Sequence, residues 1–126
     1  MTQPGSLVPI TDSTGVIRLN CIKALGLRHG SLVRPGRVLA GSIRLRIRKP
    51  GYRRLRPGSI QYALIIRSGL WSAGARGFGV RGAGAAGIMV TKGRHLPLAS
   101  RVRGPVSFEL RFLGYYRIFL IATRVF

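Results

Sequence analysis

The chain has 126 residues, of which 22 are Lys or Arg and only two, Asp12 and Glu109, are acidic, so its formal net charge is +20. Its 46% of hydrophobic residues exclude a disordered basic tail, because such tails lack the side chains for a core. A single cysteine excludes an internal disulfide. Length and composition therefore predict one globular domain over residues 1–126.

Three strands are predicted in the first half of the chain, the first two from alternating apolar and polar residues and the third from a segment rich in Ile, Leu and Tyr. The expected strands span Val16–Leu25, which follows a turn at Thr11–Gly15, then Ser42–Lys49 and Ser59–Arg67. The alternation is strictest in the second of these. There we expect Ile43, Leu45 and Ile47 to face the core and Arg44, Arg46 and Arg48 to face outward.

The second half of the chain changes in composition. Seven glycines among the twenty residues 68–87 predict a glycine-rich hairpin arm. A short strand at Ile88–Val90 follows, then a basic loop and short helix over 92–112, with Ser107 expected as the helix cap. The apolar, β-branched tail Tyr115–Phe126 is expected to be a closing strand. Many short strands separated by Gly and Pro turns predict an all-β barrel or sandwich.

The charge predicts a polyanionic partner. A compact domain this basic repels itself, and a polyanion that releases its counterions on binding relieves that repulsion. The cations are 19 Arg against 3 Lys, and Arg grips phosphate bidentately and stacks on bases. Nucleic acid is therefore favoured over an acidic protein, and no membrane partner is expected, because the most apolar run is too short to span a bilayer.

Catalytic and cofactor chemistry is disfavoured. The two carboxylates lie 97 positions apart, and the two histidines lack metal-ligand spacing. Two matches to G-x-G-x-x-G, at Gly77–Gly82 and Gly82–Gly87, lack the flanking strand, helix and acidic residue of a dinucleotide site. Cys21 alternates inward and is expected in the core. We expect no enzyme activity, no metal and no cofactor.

Two separated motifs resemble those of a known family. Asp12–Gly15 followed by Cys21–Gly26 is similar to the opening of the universal large-subunit ribosomal protein fourteen, where an Asp-Asn-Ser-Gly turn leads to Cys-Ile-Lys-Val-Leu-Gly. Arg101–Val106 followed by Glu109–Arg111 resembles its C-terminal Arg-Ile-x-Gly-Pro-Val-x-x-Glu-Leu-Arg motif. The resemblance covers nearly the whole chain. At Val80–Gly84 the chain departs from the family's usual Arg-Phe-Asp-Gly-Asn.

The resemblance implies a small closed five-stranded β-barrel, a projecting hairpin and short C-terminal helices. It also implies a non-enzymatic constituent of the large ribosomal subunit that binds large-subunit rRNA, contacts proteins L-nineteen and L-three, and meets small-subunit rRNA at the subunit interface. A ribosome-silencing factor binds this family in bacteria and organelles. The scarcity of acidic residues and the drift in otherwise matching motifs point to the mitochondrial ribosome, with a plastid or the bacterial cytoplasm as alternatives.

Two sets of residues are predicted to bind partners. The subunit-interface set, Ser100, Arg101, Arg103 and Arg117, matches or neighbours the family positions near the small subunit. The rRNA-binding set comprises Lys23, Arg28, Arg44, Arg46, Arg48, Lys49, Arg53, Arg54, Arg56, Arg67, Arg76 and Arg81.

The alternative function is a free single-stranded RNA-binding barrel that acts as an RNA chaperone. Such a protein needs aromatic residues that alternate with basic ones on a strand face.

Overall fold

Strands dominate the computed structural model, which describes residues 6–26, 33–47, 55–67, 71–73, 79–81 and 85–125. The elements in chain order are β1 (Leu7–Pro9), β2 (Val16–Ala24), β3 (Val38–Arg46), β4 (Ile60–Arg67), β5 (Trp71–Ala73), β6 (Gly79–Arg81), β7 (Ala86–Val90), β8 (Val102–Val106), α1 (Glu109–Phe112), α2 (Tyr116–Ile121) and β9 (Ala122–Val125). Five strands form one antiparallel sheet in the order β1-β2-β3-β4-β7. The strands predicted around β2, β4 and β7 are confirmed.

The two edges of this sheet approach each other without pairing along their length. An isolated parallel bridge joins Ile10 to Gly87, and the Thr11 N–H donates to the Gly87 carbonyl at 3.1 Å. Strand β1 is only three residues long, so it offers few backbone groups for a ladder with β7. The fold is mostly β as expected, but the sheet in the described residues is open, and the predicted closed barrel is not confirmed.

Both faces of the sheet are buried around β4 and β7. One face, which includes Leu64 and Ile88, packs against β8, α1 and α2. The opposite face includes Leu39 and Ile65 and forms the interior of the curled sheet. Burial on both faces explains why the β4 sequence is a continuous apolar run, with Ala63–Ile66 all fully buried, instead of an alternating one.

Irregular pairing between β2 and β3 changes which side chains face inward. Leu19 pairs with Ile43, but the preceding residue Arg18 pairs with Leu45, so Arg44 is an extra residue on β3. Such a bulge bends the strand and interrupts the alternation of side chains between the two faces. Arg44 and Leu45 are consequently both exposed, as are Ile17 and Arg18 on the facing strand.

The bulge overturns part of the predicted β3 pattern. Ile43 is buried as expected, with 1% of its surface exposed, whereas Leu45 and Ile47 are 50% and 60% exposed. The prediction that these two side chains face the core is wrong, because the inward pattern ends at the bulge. Strand β3 ends at Arg46, and the predicted continuation through Arg48 and Lys49 lies outside the described residues.

The predicted hairpin arm at 68–87 contains a paired hairpin. Strands β5 and β6 are antiparallel, with Trp71 opposite Arg81 and Ala73 opposite Gly79. Residues 74–78, which include Arg76 and Phe78, lie outside the described residues. Whether this hairpin projects, and what its tip contacts, therefore remains a prediction.

The C-terminal part differs most from expectation. The predicted short helix is confirmed as α1, but its N-cap is Phe108 and not Ser107. The Ser107 hydroxyl accepts a long hydrogen bond of 3.4 Å from the Glu109 N–H. The segment predicted as a basic loop contains strand β8, which pairs in parallel with β9. β8 was missed because its central Arg-Gly-Pro sequence carries turn-forming residues and only its ends, Val102 and Val106, are fully buried.

The predicted closing strand at Tyr115–Phe126 is wrong over its first half, which forms α2. Ile118 is buried in the core, and Tyr115, Phe119 and Ala122 pack against the same cluster. Ile118 and Phe119 lie on α2, whereas Tyr115 is its N-cap and Ala122 begins β9. Only the last residues, in β9, are extended. β-branched composition favoured a strand, whereas the segment forms a short helix whose Ile118 is buried against the core cluster.

Asp12 connects three parts of the fold. Its carboxylate is buried, with 6% of the residue exposed, and Oδ1 accepts hydrogen bonds from both the backbone N–H and the hydroxyl of Thr14. Oδ2 accepts a bond of 2.8 Å from the N–H of Met89 on β7. Asp12 also forms an antiparallel bridge with Val102 on β8. The predicted role of Asp12 as a turn former is confirmed and extends to linking β7 and β8.

Candidate nucleic-acid interface

Most of the described cations lie at the surface. Neither acidic residue is fully exposed at this surface, because Asp12 is buried and Glu109 is half-buried. The field around the protein is therefore positive over most of its described surface, which favours association with a polyanion. The exposed cations are Arg18, Lys23, Arg34, Arg37, Arg44, Arg56, Lys92, Arg94, Arg101, Arg103, Arg111 and Arg117.

The predicted rRNA-binding residues occupy several environments. Lys23, Arg44 and Arg56 are exposed, and Arg46 and Arg67 are half-buried. Arg81 lies on β6. The remaining predicted residues, Arg28, Arg48, Lys49, Arg53, Arg54 and Arg76, lie outside the described residues.

A groove beside the bulge between β2 and β3 is lined by two arginines. Arg18 and Arg44 line it together with Leu45, and the turn at Pro57-Gly58 forms its other side. The volume of this Arg18–Arg44 groove is about 460 Å³. Arg18 and Arg44 are both exposed on neighbouring strands, so two guanidinium groups with five N–H donors each face one open surface. Such an arrangement can bind phosphate oxygens without reading base sequence.

A tight turn places Arg56 beside this groove. The Ser59 N–H donates to the Arg56 carbonyl at 3.1 Å across Pro57 and Gly58, and Gly58 has a φ of +81°. Proline followed by a residue of positive φ defines a type II turn. The Gly58 N–H donates to the Ile43 carbonyl at 2.8 Å, so the turn is fixed to β3.

Arg46 has a structural role in the same region. Its Nη1 donates a hydrogen bond to the carbonyl of Leu55, whose side chain is buried in the core. The guanidinium therefore helps hold the segment that leads into the Arg56 turn. This half-buried side chain is less accessible to RNA than that of Arg44.

Arg67 joins β4 to β8. Its Nη1 donates to the Pro105 carbonyl at 3.1 Å, and burial lowers the pKa of its guanidinium below the usual range. Gly104 has a φ of +75°, which favours glycine, and a Cβ there would lie 2.6 Å from that nitrogen, so the Arg67 guanidinium would have to move. Arg67 thus supports the strand that carries Arg103.

The predicted subunit-interface residues are all exposed. Arg101 and Arg103 flank Val102, which is fully buried, so their side chains leave β8 on the outer side. The backbone is fixed there by two hydrogen bonds. The Ser13 N–H donates to the Arg101 carbonyl at 3.2 Å, and the Arg103 N–H donates to the Thr11 carbonyl at 2.7 Å. Ser100 precedes this segment, and Arg117 lies on α2 beside the buried Ile118. The surface formed by Ser100, Arg101, Arg103 and Arg117 is called the β8–α2 surface below.

The predicted sets omitted several exposed cations. Arg18 was available from the sequence because it lies in the β2 alternation opposite the arginine-rich strand. Arg34 and Arg37 are separated by Pro35-Gly36, and this turn signature indicates that both flank a surface turn. The other omitted exposed cations are Lys92, Arg94 and Arg111.

Three features of the described residues concern metal binding, thiol reactivity and membrane insertion. Within the described residues, no group of three His, Cys, Asp or Glu side chains is arranged to hold a metal ion. Cys21 is buried as predicted, and burial raises the pKa of its thiol, which disfavours the reactive thiolate. The helices of the described part are all too short or too polar to cross a bilayer.

Comparison with protein families agrees with the motifs and the cationic surface. A family model described as ribosomal protein L14p/L23e matches residues 1–126 of the chain. The match confirms the family resemblance, and it does not distinguish a mitochondrial from a plastid or bacterial member. The chain therefore belongs to the ribosomal protein L14p/L23e family, a family of structural, non-enzymatic proteins of the large ribosomal subunit.

Proposed function

We propose that this chain uses two separate cationic surfaces within the large ribosomal subunit. The cations around the Arg18–Arg44 groove, together with Lys23 and Arg56, bind large-subunit rRNA. The β8–α2 surface contacts small-subunit rRNA when the subunits join. The observation that carries the first assignment is the exposure of Arg18 and Arg44 on adjacent strands, where both line one groove.

The division of roles follows from how each surface is built. Arg18 and Arg44 extend from paired strands of the main sheet, which fixes the backbone positions of both residues relative to each other. Arg101, Arg103 and Arg117 lie at the surface of the C-terminal part, where exposed guanidinium groups make modest, salt-sensitive contacts. Such contacts suit subunit joining or a ribosome-silencing factor, which would compete for the same side chains.

The proposal also names the protein partners of the chain and the ribosome in which it acts. Neighbouring proteins L-nineteen and L-three are proposed as protein partners, and the mitochondrial ribosome is proposed as the site of action. The proposed mitochondrial location depends on the scarcity of acidic residues, since only two remain in the 126-residue chain. A plastid or bacterial ribosome is the alternative, and localisation of a tagged chain in its own cell distinguishes them.

Removing the groove arginines should weaken RNA binding. We expect Arg18→Ala with Arg44→Ala to weaken binding to large-subunit rRNA by about 10-fold to 100-fold at moderate salt and to reduce the slope of log K against log salt by roughly 2. The wild type should lose about 10³ to 10⁵ in affinity between roughly 50 and 200 mM salt if it makes about 6 to 10 phosphate contacts. Filter binding across a salt series measures both quantities.

The matched control for this test is Lys92→Ala with Arg94→Ala. It removes the same charge from an exposed turn away from the groove. If both double variants weaken binding equally, net charge alone explains the effect and the groove assignment is wrong. An affinity that does not depend on salt would contradict phosphate binding itself.

Reversing charge on the β8–α2 surface should separate assembly from subunit joining. We expect Arg101→Glu with Arg117→Glu to remain in large subunits at wild-type occupancy, because neither side chain belongs to the groove. Joining to small subunits and binding of the silencing factor should both weaken, since each requires cations at this surface. Sedimentation of purified subunits measures occupancy and joining together. Loss of the variant from large subunits, or normal joining, would contradict the proposed division.

A further inference from the structure

A second groove lies between a tight turn and α1. The turn spans Arg34–Arg37, and Phe112 and Leu113 form the opposite wall. Glu109 also lines this Arg34–Phe112 groove, whose volume is about 550 Å³. None of these side chains belongs to the Arg18–Arg44 groove or to the β8–α2 surface.

The cationic wall is rigid. The Arg37 N–H donates to the Arg34 carbonyl at 3.3 Å across Pro35 and Gly36, and Gly36 has a φ of +93°, which defines a type II turn. The Gly36 N–H also donates to the Ile65 carbonyl on β4 at 2.8 Å. Arg34 and Arg37, both exposed, therefore stand at the two ends of one fixed turn.

The opposite wall is apolar and held in place despite its exposure. Phe112 is 74% exposed and Leu113 is 56% exposed. The ring of Phe112 packs edge to face on Phe108, with 5.4 Å between centroids, and the Arg111 guanidinium lies 5.8 Å from the Phe108 ring centroid. Leu113 Cδ1 rests against Gly36, in space that a Cβ at that position would fill. Two large apolar side chains are thus presented to solvent in fixed positions.

This combination favours a protein partner over RNA. An RNA backbone could pair with the two arginines but would gain little from the apolar side chains of Phe112 and Leu113. A protein segment that carries an apolar side chain would bury Phe112 and Leu113, and carboxylates beside that side chain would reach Arg34 and Arg37. Exposed apolar patches rimmed by charge are typical of protein interaction sites.

We propose that the Arg34–Phe112 groove binds a segment of a neighbouring protein in which an apolar side chain is flanked by Asp or Glu. The apolar side chain packs between Phe112 and Leu113, and the carboxylates pair with Arg34 and Arg37. The groove gives the protein a site for a ribosomal neighbour that is distinct from both cationic RNA surfaces. This inference rests on the proposed function, because it requires the chain to be in the large subunit.

Photocrosslinking from the groove in assembled subunits tests the proposal. Phe112 is replaced by p-benzoylphenylalanine, which its high exposure accommodates, and large subunits are purified and irradiated. We expect an adduct with one protein, mapped by mass spectrometry to a segment with Asp or Glu next to an apolar residue. The same probe at Ile22, which is 46% exposed on β2, should not give that adduct. An RNA adduct, or none in subunits that contain the chain, would overturn the proposal.

Charge variants make the test specific to the two arginines. With the probe in place, Arg34→Glu and Arg37→Glu together should reduce the adduct at least about tenfold, whereas Arg34→Lys and Arg37→Lys should leave it within about twofold. Lys92→Glu with Arg94→Glu changes the net charge equally and should have no effect. An adduct unaffected by reversal at Arg34 and Arg37 would overturn the proposal. Occupancy of large subunits, measured before irradiation, reports separately on the proposed function.

Discussion

Asp12→Asn should lower the free energy of unfolding by about 3 kcal/mol, although it changes only one oxygen to an amide nitrogen. The carboxylate accepts bonds on both oxygens, from Thr14 on one side and from Met89 on the other. An asparagine has one acceptor oxygen, so its NH₂ group must face either the Thr14 donors or the Met89 N–H. At least one buried donor is then unsatisfied, at a site where Asp12 also bridges to β8. Urea denaturation followed by fluorescence measures the change.

Glu109→Gln is the matched control, because it raises the net charge by the same amount. Glu109 is half-buried at the start of the four-residue helix α1, and its carboxylate lies where charge interacts favourably with a helix N-terminus. We expect its loss to cost less than about 1 kcal/mol. Equal losses from both variants would mean that net charge, and not the buried hydrogen bonds of Asp12, controls stability.

Much of the sheet was predictable from local sequence. The β4 segment is a run of apolar residues bounded by the Pro57-Gly58 turn, and such a run in a short segment indicates a strand buried on both faces. The turn at Asp12 was predictable because an Asp side chain bonds the backbone two residues later, as it does with Thr14. In each case the determining interactions are close in sequence.

The errors arise where distant contacts decide the structure. The β2–β3 bulge depends on how two strands pair across more than twenty residues, and alternation along β3 alone does not reveal it. β8 is held by Arg67 and by backbone bonds to Thr11 and Ser13, all remote in sequence. The β-branched residues of α2 favour a strand by composition, yet Ile118 reaches the core only on a helix face.

The composition of the candidate interface was predictable, and its geometry was not. A charge of +20 with 19 Arg requires exposed cations, and the exposure of Arg44 and Arg101 agrees with that expectation. The sequence does not show that Arg18 joins Arg44 in one groove, because that juxtaposition depends on how β2 pairs with β3. The sequence also does not show that Arg67 donates a hydrogen bond to Pro105, because that bond depends on the position of β8.

The bulge itself predicts a large difference between two leucines on one strand. Leu39 and Leu45 are six residues apart on β3, so uninterrupted alternation would place both on the same face. Leu39 is fully buried among Val8, Cys21 and Ile65, whereas Leu45 is 50% exposed. We expect Leu39→Ala to lower the free energy of unfolding by about 2 to 5 kcal/mol, because it removes buried methyl groups and leaves a cavity.

Leu45→Ala is the matched control, with the same atoms deleted from the same strand. We expect it to cost less than about 1 kcal/mol, since water already contacts much of that side chain. Chemical denaturation of both variants under one set of conditions gives the comparison, with similar m-values expected if both remain two-state. Equal, large losses would place Leu45 in the core and remove the bulge. Because Leu45 lines the Arg18–Arg44 groove, that result would also change the lining of that groove.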